Sequence, residues 1–204
     1  MSNRPKNICW LDLETSGINP ATSEVLEVGV VITNYALEVV AEKNWVMGVN
    51  VASIVHKASG DVKAMHEANG LWDECEESTL TPQYVDQMLS VFLLEHNGYG
   101  DSKTQLAFAG SGVAHFDSEF MKVHLPRSRS HLTFWTIDVG ILRRALRLMG
   151  SEFDPPAADA STKSHRALDD ARQHLAEMIA YREWFGKELG PKTEKDEEIS
   201  WGLL

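Results

Sequence analysis

Three short segments carry the residue types that could do chemistry: Asp12-Leu13-Glu14, His115-Phe116-Asp117 and His165-Arg166-Ala167-Leu168-Asp169-Asp170. Asp12 and Glu14 close the apolar run Asn7–Leu13. Residues two apart on a strand point to the same face, so the two carboxylates lie side by side. At a buried strand end they repel each other, which is costly unless a cation sits between them. Oxygen donors of this kind suit Mg²⁺ or Mn²⁺. Taken alone, such a pair is more often a solvated acidic pair where a strand meets a loop. Asp117 stands beside Phe116 and Phe120 on an amphipathic stretch, and an aspartate opening a helix is commonly there for the helix dipole. His165 and Asp170 are five residues apart, about 140° around a helix, so they share a site only if His165 precedes the helix. Asp170 is then a fixed carboxylate with a mobile imidazole above it, and histidine is the side chain best suited to take a proton from water near neutral pH. In isolation the same segment also reads as a loop histidine followed by two helix-opening acids.

The pattern around these segments supplies elements to position them. Asn7–Leu13, Glu24–Thr33 and Leu37–Val46 read as strands, the last two as an antiparallel hairpin through Asn34-Tyr35-Ala36. Residues 49–78 are expected to be irregular, with one short helix near Val62–Asn69. Thr81-Pro82 opens a helix that carries Val85, Met88, Leu89, Phe92 and Leu93 at helical spacing. Asn97–Lys103 reads as a loop. Leu106–Ala109 reads as a strand, Ala114–Leu125 as a helix, Phe134–Ile137 as a strand and Val139–Met149 as a helix. Ser151–Lys163 is small, polar and proline-containing, and so a mobile loop. A last helix spans about Ala167–Glu188, with Leu168, Ala171, Leu175, Met178, Ile179 and Phe185 along one stripe. The tail from Pro191 is charged, with Trp201, Leu203 and Leu204 free to dock elsewhere. Strands followed by alternating helices and strands imply an α/β fold, a mixed β-sheet flanked by α-helices.

Composition narrows the class. With 204 residues, 43% of them hydrophobic, the chain is long enough for one α/β domain whose core needs no staple. Two cysteines, Cys9 and Cys75, are too few for a disulfide framework and wrongly spaced for zinc. With no basic-then-apolar leader and no membrane-length apolar run, the expected setting is the reducing cytoplasm. The net charge of −11 argues against an extended duplex-binding surface, which needs basic side chains. It leaves room for an enzyme that takes a short strand end through bound cations.

Asp-Leu-Glu-Thr with the following Gly17, then Asp117, then His165-Arg166-Ala167-Leu168-Asp169-Asp170, resembles the DEDD exonuclease superfamily with a histidine in its last motif. That resemblance implies an RNase H-like fold in a single domain over residues 1–190, with 191–204 as a tail. It implies removal of nucleotides from 3′ ends as nucleoside 5′-monophosphates. Asp12, Glu14, Asp117 and Asp170 would hold two Mg²⁺ or Mn²⁺ ions, with His165 as general base in two-metal hydrolysis. Arg166 is expected either at a phosphate or facing solvent.

Within the superfamily the chain is most similar to oligoribonuclease, through WLDLETSGINP, VKAMHEANGL, FAGSGVAHFD, WTIDVGILRRAL and HRALDDARQHLAEMIAYR. The resemblance implies that Ile18 is an apolar wedge between terminal bases and that His66 lies near the nucleobases or the 3′ end. Gly17 and Ser111 complete the expected contacts, and the partners would be short single-stranded RNA or DNA and a second copy in a homodimer. The chain departs from the family in having Ile18 for a leucine, one extra residue before Asp117, and Thr133-Phe134-Trp135 where a His-Tyr-Arg caps the 5′ phosphate. Stacking on Trp135 or Phe134 could compensate, since aromatic faces bind bases without reading them; core packing is an equal alternative for both. Two other readings compete: a broader exonuclease on DNA or RNA 3′ ends, of the proofreading or RNase T kind, and an inactive nucleic-acid-binding domain that kept the fold.

Overall fold

The computed structural model describes residues 5–99, 104–153, 155 and 164–189. Its centre is a five-stranded mixed sheet: β1 (Asn7–Thr15), β2 (Val25–Asn34), β3 (Val39–Val46), β4 (Leu106–Gly110) and β5 (Leu132–Asp138). The order is β3-β2-β1-β4-β5. The first three strands form an antiparallel meander, and β4 and β5 add in parallel to β1. Parallel neighbours need crossover connections, supplied by α4 (Pro82–Glu95) between β3 and β4 and by α5 (Asp117–His124) with α6 (Pro126–Arg129) between β4 and β5. The hairpin, the two later strands and the helices α7 (Val139–Leu148) and α8 (Ala167–Leu189) match the sequence reading to within one or two residues.

Strand alternation divides the core. Cys9, Leu11 and Leu13 of β1 pack with Val28, Val30 and Ile32 under Val85, Leu89 and Leu93 of α4 and Phe120 of α5. Ile8 and Trp10 face the other way, onto Val139 and Leu146 of α7 and Ala171, Leu175 and Tyr181 of α8. Each fully buried apolar side chain stabilises by about 1.5–3 kcal/mol. Trp10 is wholly buried and its indole N–H donates to Thr33 Oγ1 at 3.0 Å. Asp12 and Glu14 continue the even-numbered row, so they emerge on the face that α8 covers.

Two expectations fail locally. Residues 49–78 hold more helix than the sequence suggests: α1 (Val51–Ile54), a 3-10 turn over Val55–Lys57, α2 (Gly60–Ala68) and α3 (Leu71–Glu77). Each is short and supplies only a few apolar residues, and these close a third cluster on Leu26 of β2 (Val51, Ala58, Leu71, Trp72 and Cys75). Caps start two of them, Asn50 Oδ1 accepting from Ser53 N and Ser59 Oγ from Val62 N. The second failure is the helix expected from Ala114, which begins only at Asp117, after a turn in which the His115 and Phe116 amides donate to the Gly112 carbonyl and Phe116 sits at φ −111°, ψ −74°. Asp117 therefore opens α5. Most of the loop read over Ser151–Lys163, the end of Asn97–Lys103 and the tail with Trp201, Leu203 and Leu204 lie outside the described residues.

Candidate active site

The C-terminal end of β1 and the N-terminal turn of α8 meet at one point. Glu14 is 7% exposed and Asp170 5%, and donor atoms of Glu14, His165 and Asp170 all lie within 4.8 Å of one another. Asp170 is in the first turn of α8, where the positive end of the helix dipole favours a carboxylate. His165 sits just outside the helix, as its spacing from Asp170 demands, in the left-handed region at φ +47°. A non-glycine residue held there costs about 1–3 kcal/mol and persists only where its surroundings impose it. Above these groups is a cleft of about 260 Å³ lined by Asp12, Glu14, Gly17, Ile18, Met65, Phe116, His165 and Asp170.

Asp117, at the start of α5, is tied to β1 rather than lining the cleft. It is 2% exposed, and its Oδ1 accepts from the Leu13 amide at 3.0 Å, between Asp12 and Glu14 in sequence. Burial pushes its carboxyl up to about 7, the nearby Asp138 carboxylate adds to the rise, and hydrogen bonds from its own amide and that of Leu13 oppose it. A buried carboxyl in this state is stabilised as a carboxylate by a neighbouring cation. Carboxylates joined by one imidazole, within 4.8 Å for the trio Glu14, His165 and Asp170, fit a hard divalent ion such as Mg²⁺ or Mn²⁺.

The residues expected at the substrate fall into two groups. Ile18 stands 85% exposed on the rim, and Gly17 beside it is half-buried against the Ser23 hydroxyl, which would have to turn aside for a Cβ. Ser111 lies near Gly140 and the Asp138 carboxylate, and Trp135 packs into the α7–α8 core. Phe134 is the exposed aromatic of β5, at 87%. His66 is completely buried: its Nε2 lies 3.1 Å from the Thr15 carbonyl and 3.9 Å from Glu14 Oε2. A carbonyl only accepts, so Nε2 carries the proton. Burial lowers the pKa of this ring, which stands edge-on to Trp72 at 5.1 Å.

Sequence reasoning missed the groups that hold His165 in place. Arg166 is held in a double ion pair rather than turned to open solvent. Its guanidinium donates to both oxygens of Glu27 at 3.0 Å and to both oxygens of Glu74 at 2.7 Å. Glu27, 1% exposed on β2, also accepts from the Ala167 amide at 3.1 Å. Asn69, at the end of α2, donates to the carbonyls of Ser164 and His165 at 3.3 and 2.6 Å. A signal for part of this was available: a lone glutamate inside the apolar run EVLEVGVVIT must have a cationic or amide partner.

Comparison with known proteins agrees with this geometry. The protein-family model described as Exonuclease (RNase T) matches residues 9–178. An oligoribonuclease of Neisseria meningitidis serogroup B is 30% identical over 181 residues, which is 88% of this chain and 92% of the relative. That of Escherichia coli K12 is 27% identical over 196 residues, covering 92% and 99%. In fold, the chain is similar to exonuclease I of E. coli in its zinc-bound single-stranded DNA complex, with a TM-score of 0.67 at 11% identity over 89% of this chain. It is similar also to exonuclease I of Methylocaldum szegediense, with a TM-score of 0.61 at 15% identity over 94%. The chain spans less than half of those exonuclease I chains, 41% and 44%. The chain belongs to the exonuclease family, and it is a 3′→5′ exonuclease.

Proposed function

We propose that the protein trims short single-stranded oligonucleotides, RNA before DNA, from the 3′ end to nucleoside 5′-monophosphates. In this reading Asp12, Glu14, Asp117 and Asp170 hold two Mg²⁺ or Mn²⁺ ions and His165 is the general base. The observation that carries it is the convergence of Glu14, His165 and Asp170 within 4.8 Å under a cleft of about 260 Å³. Bound ions would supply Lewis-acid activation of water and neutralise charge at the phosphodiester. Within the chain, the His165 imidazole takes the proton of the attacking water, and the carboxylates fix where that charge is neutralised. Ile18 separates the last two bases with Gly17 beside it on the rim, Ser111 contacts the strand, and His66 and Trp135, buried and core-packed, act only by holding the backbone behind the site.

Short substrates suit the site for two reasons. The cleft is at the small end of ligand pockets, which run to about 300–1,000 Å³. The net charge of −11 offers no basic track for a long strand. The oligoribonuclease relatives point the same way. By analogy with them the protein is expected to act as a cytoplasmic homodimer. No helix among the described residues is long and apolar enough to cross a membrane.

A second reading, a broader exonuclease on longer DNA or RNA ends, is favoured by one observation: Phe134, 87% exposed on β5, is available as a stacking platform. Digestion of 5′-labelled RNA dinucleotides, heptamers and 30-mers, with matched DNA, separates the two. Fastest turnover on the shortest RNA supports the first reading. Faster digestion of 30-mers or of DNA supports the second.

A further inference from the structure

We propose that Asn69 is a positioning residue for His165, acting with Arg166 to hold the strained turn that aims the imidazole at Glu14 and Asp170. The inference rests on the functional reading above and deepens it, replacing a swinging imidazole with one fixed in advance.

Three observations carry it. The Asn69 amide has only one possible orientation, because its Oδ1 accepts from the Leu71 amide at 3.1 Å and only Nδ2 can then donate. Nδ2 meets the carbonyls of Ser164 and His165 at 3.3 and 2.6 Å, the peptide groups on both sides of the His165 α-carbon. The next residue, Arg166, is locked between Glu27 of β2 and Glu74 of α3, and the Ala167 amide is tied to Glu27 as well. The backbone on either side of His165 is thus anchored to three separate elements, α2, α3 and β2. This is the over-determination that a left-handed histidine at φ +47° requires. The backbone fixes the Cα–Cβ direction, so it also fixes the approach of the imidazole to the carboxylates within 4.8 Å.

Asn69 bonds the backbone at His165 and the start of α3, so the test must separate these two roles. The test measures kcat and KM on an RNA heptamer with Mn²⁺, together with Mn²⁺ affinity, for wild type, Asn69→Ala, Asn69→Asp, His165→Ala and Asn69→Ala/His165→Ala. Asn69→Asp keeps the acceptor for Leu71 but sets a carboxylate oxygen, which cannot donate and repels, against the Ser164 and His165 carbonyls, so it disturbs the His165 turn while sparing the start of α3. The expected result is a kcat lower by ~10–100-fold in both Asn69 variants, with KM and Mn²⁺ affinity unchanged. In the His165→Ala background Asn69→Ala should then have no further effect, as expected of residues that act as a unit. The inference is overturned by wild-type kcat in Asn69→Asp, or by the same fold-loss from Asn69→Ala with and without His165. If the wild type degrades no oligonucleotide, the functional reading falls and takes this inference with it. Normal wild-type turnover with unaffected Asn69 variants overturns the inference alone.

Discussion

Substituting Gly29 by alanine should disable the enzyme by pushing α8 off the face of the sheet that carries Asp12 and Glu14. Gly29 pairs with Asp12 across the β1–β2 ladder, and the first turn of α8 rests directly on it. A Cβ at this position would lie 2.1 Å from the Leu168 amide nitrogen and 2.2 Å from the Ala167 carbonyl carbon. Ordinary contact begins near 3.4 Å, so α8 must retreat by about 1.3 Å. Both neighbours are backbone atoms, and no rotamer change relieves the clash. Retreat carries Asp170 and the His165 turn away from Glu14. Displacement of reacting groups by about 1 Å can cost ~100-fold in rate, while overpacking costs ~1–3 kcal/mol of stability. The assay is kcat on an RNA heptamer with Mn²⁺, beside a thermal melt. The expected outcome is a loss of activity much larger than the loss of stability accounts for, in protein that remains folded at the assay temperature. Wild-type kcat in Gly29→Ala would refute the reasoning, because the close approach of α8 to β2 would then not set the site.

Other outcomes follow from individual contacts. Arg166→Met leaves Glu27, 1% exposed, without its cation, and should destabilise by about 3 kcal/mol in urea unfolding; a loss under ~1 kcal/mol would contradict it. Ile18→Ala removes side-chain carbons from a residue 85% exposed, so the melting temperature should not move, while KM should rise ~10-fold from lost base contact; an unchanged KM removes Ile18 from the substrate site. In metal-free protein the Asp117 carboxyl titrates near 7 when folded, raised by burial from its ordinary range. The folded state therefore binds this proton more tightly than the unfolded chain, and the stability so contributed is lost as pH climbs from about 4 to 7. Melting temperature in EDTA should fall between about pH 4 and pH 7, Mn²⁺ should restore it at the upper pH, and Asp117→Asn should flatten the slope. A wild-type profile as flat as that of Asp117→Asn would contradict this.

Much of the site could be read before the fold was known because it rests on periodicities of the chain. The two-residue repeat of β1 puts Asp12 and Glu14 on one face, and the helical angle between His165 and Asp170 forces the histidine off the helix. The apolar rows of β1, α4 and α8 are long enough to declare themselves. The helices over 51–77 are not: they are short, they start on single caps at Asn50 and Ser59, and their burial depends on Leu26 of a distant strand. The clamp on His165 was hidden for the same reason. Arg166 meets Glu27 and Glu74 across 139 and 92 residues of sequence, and Asn69 reaches His165 across 96. Pairings that distant are set by the sheet order, which no local spacing encodes. The start of α5 is not marked by a capping side chain: a backbone turn over Gly112–Phe116 precedes it, and no residue type in that stretch signals the boundary.

The most direct test of the central claim is the product ladder from a 5′-labelled RNA heptamer, with Mn²⁺ or EDTA, for wild type and Asp170→Asn. One-nucleotide shortening from the 3′ end, abolished by EDTA and by Asp170→Asn in folded protein, is the predicted result. Cleavage that persists in EDTA or in Asp170→Asn, or products that arise from the 5′ end, would contradict a metal-dependent 3′→5′ site built on Glu14, His165 and Asp170.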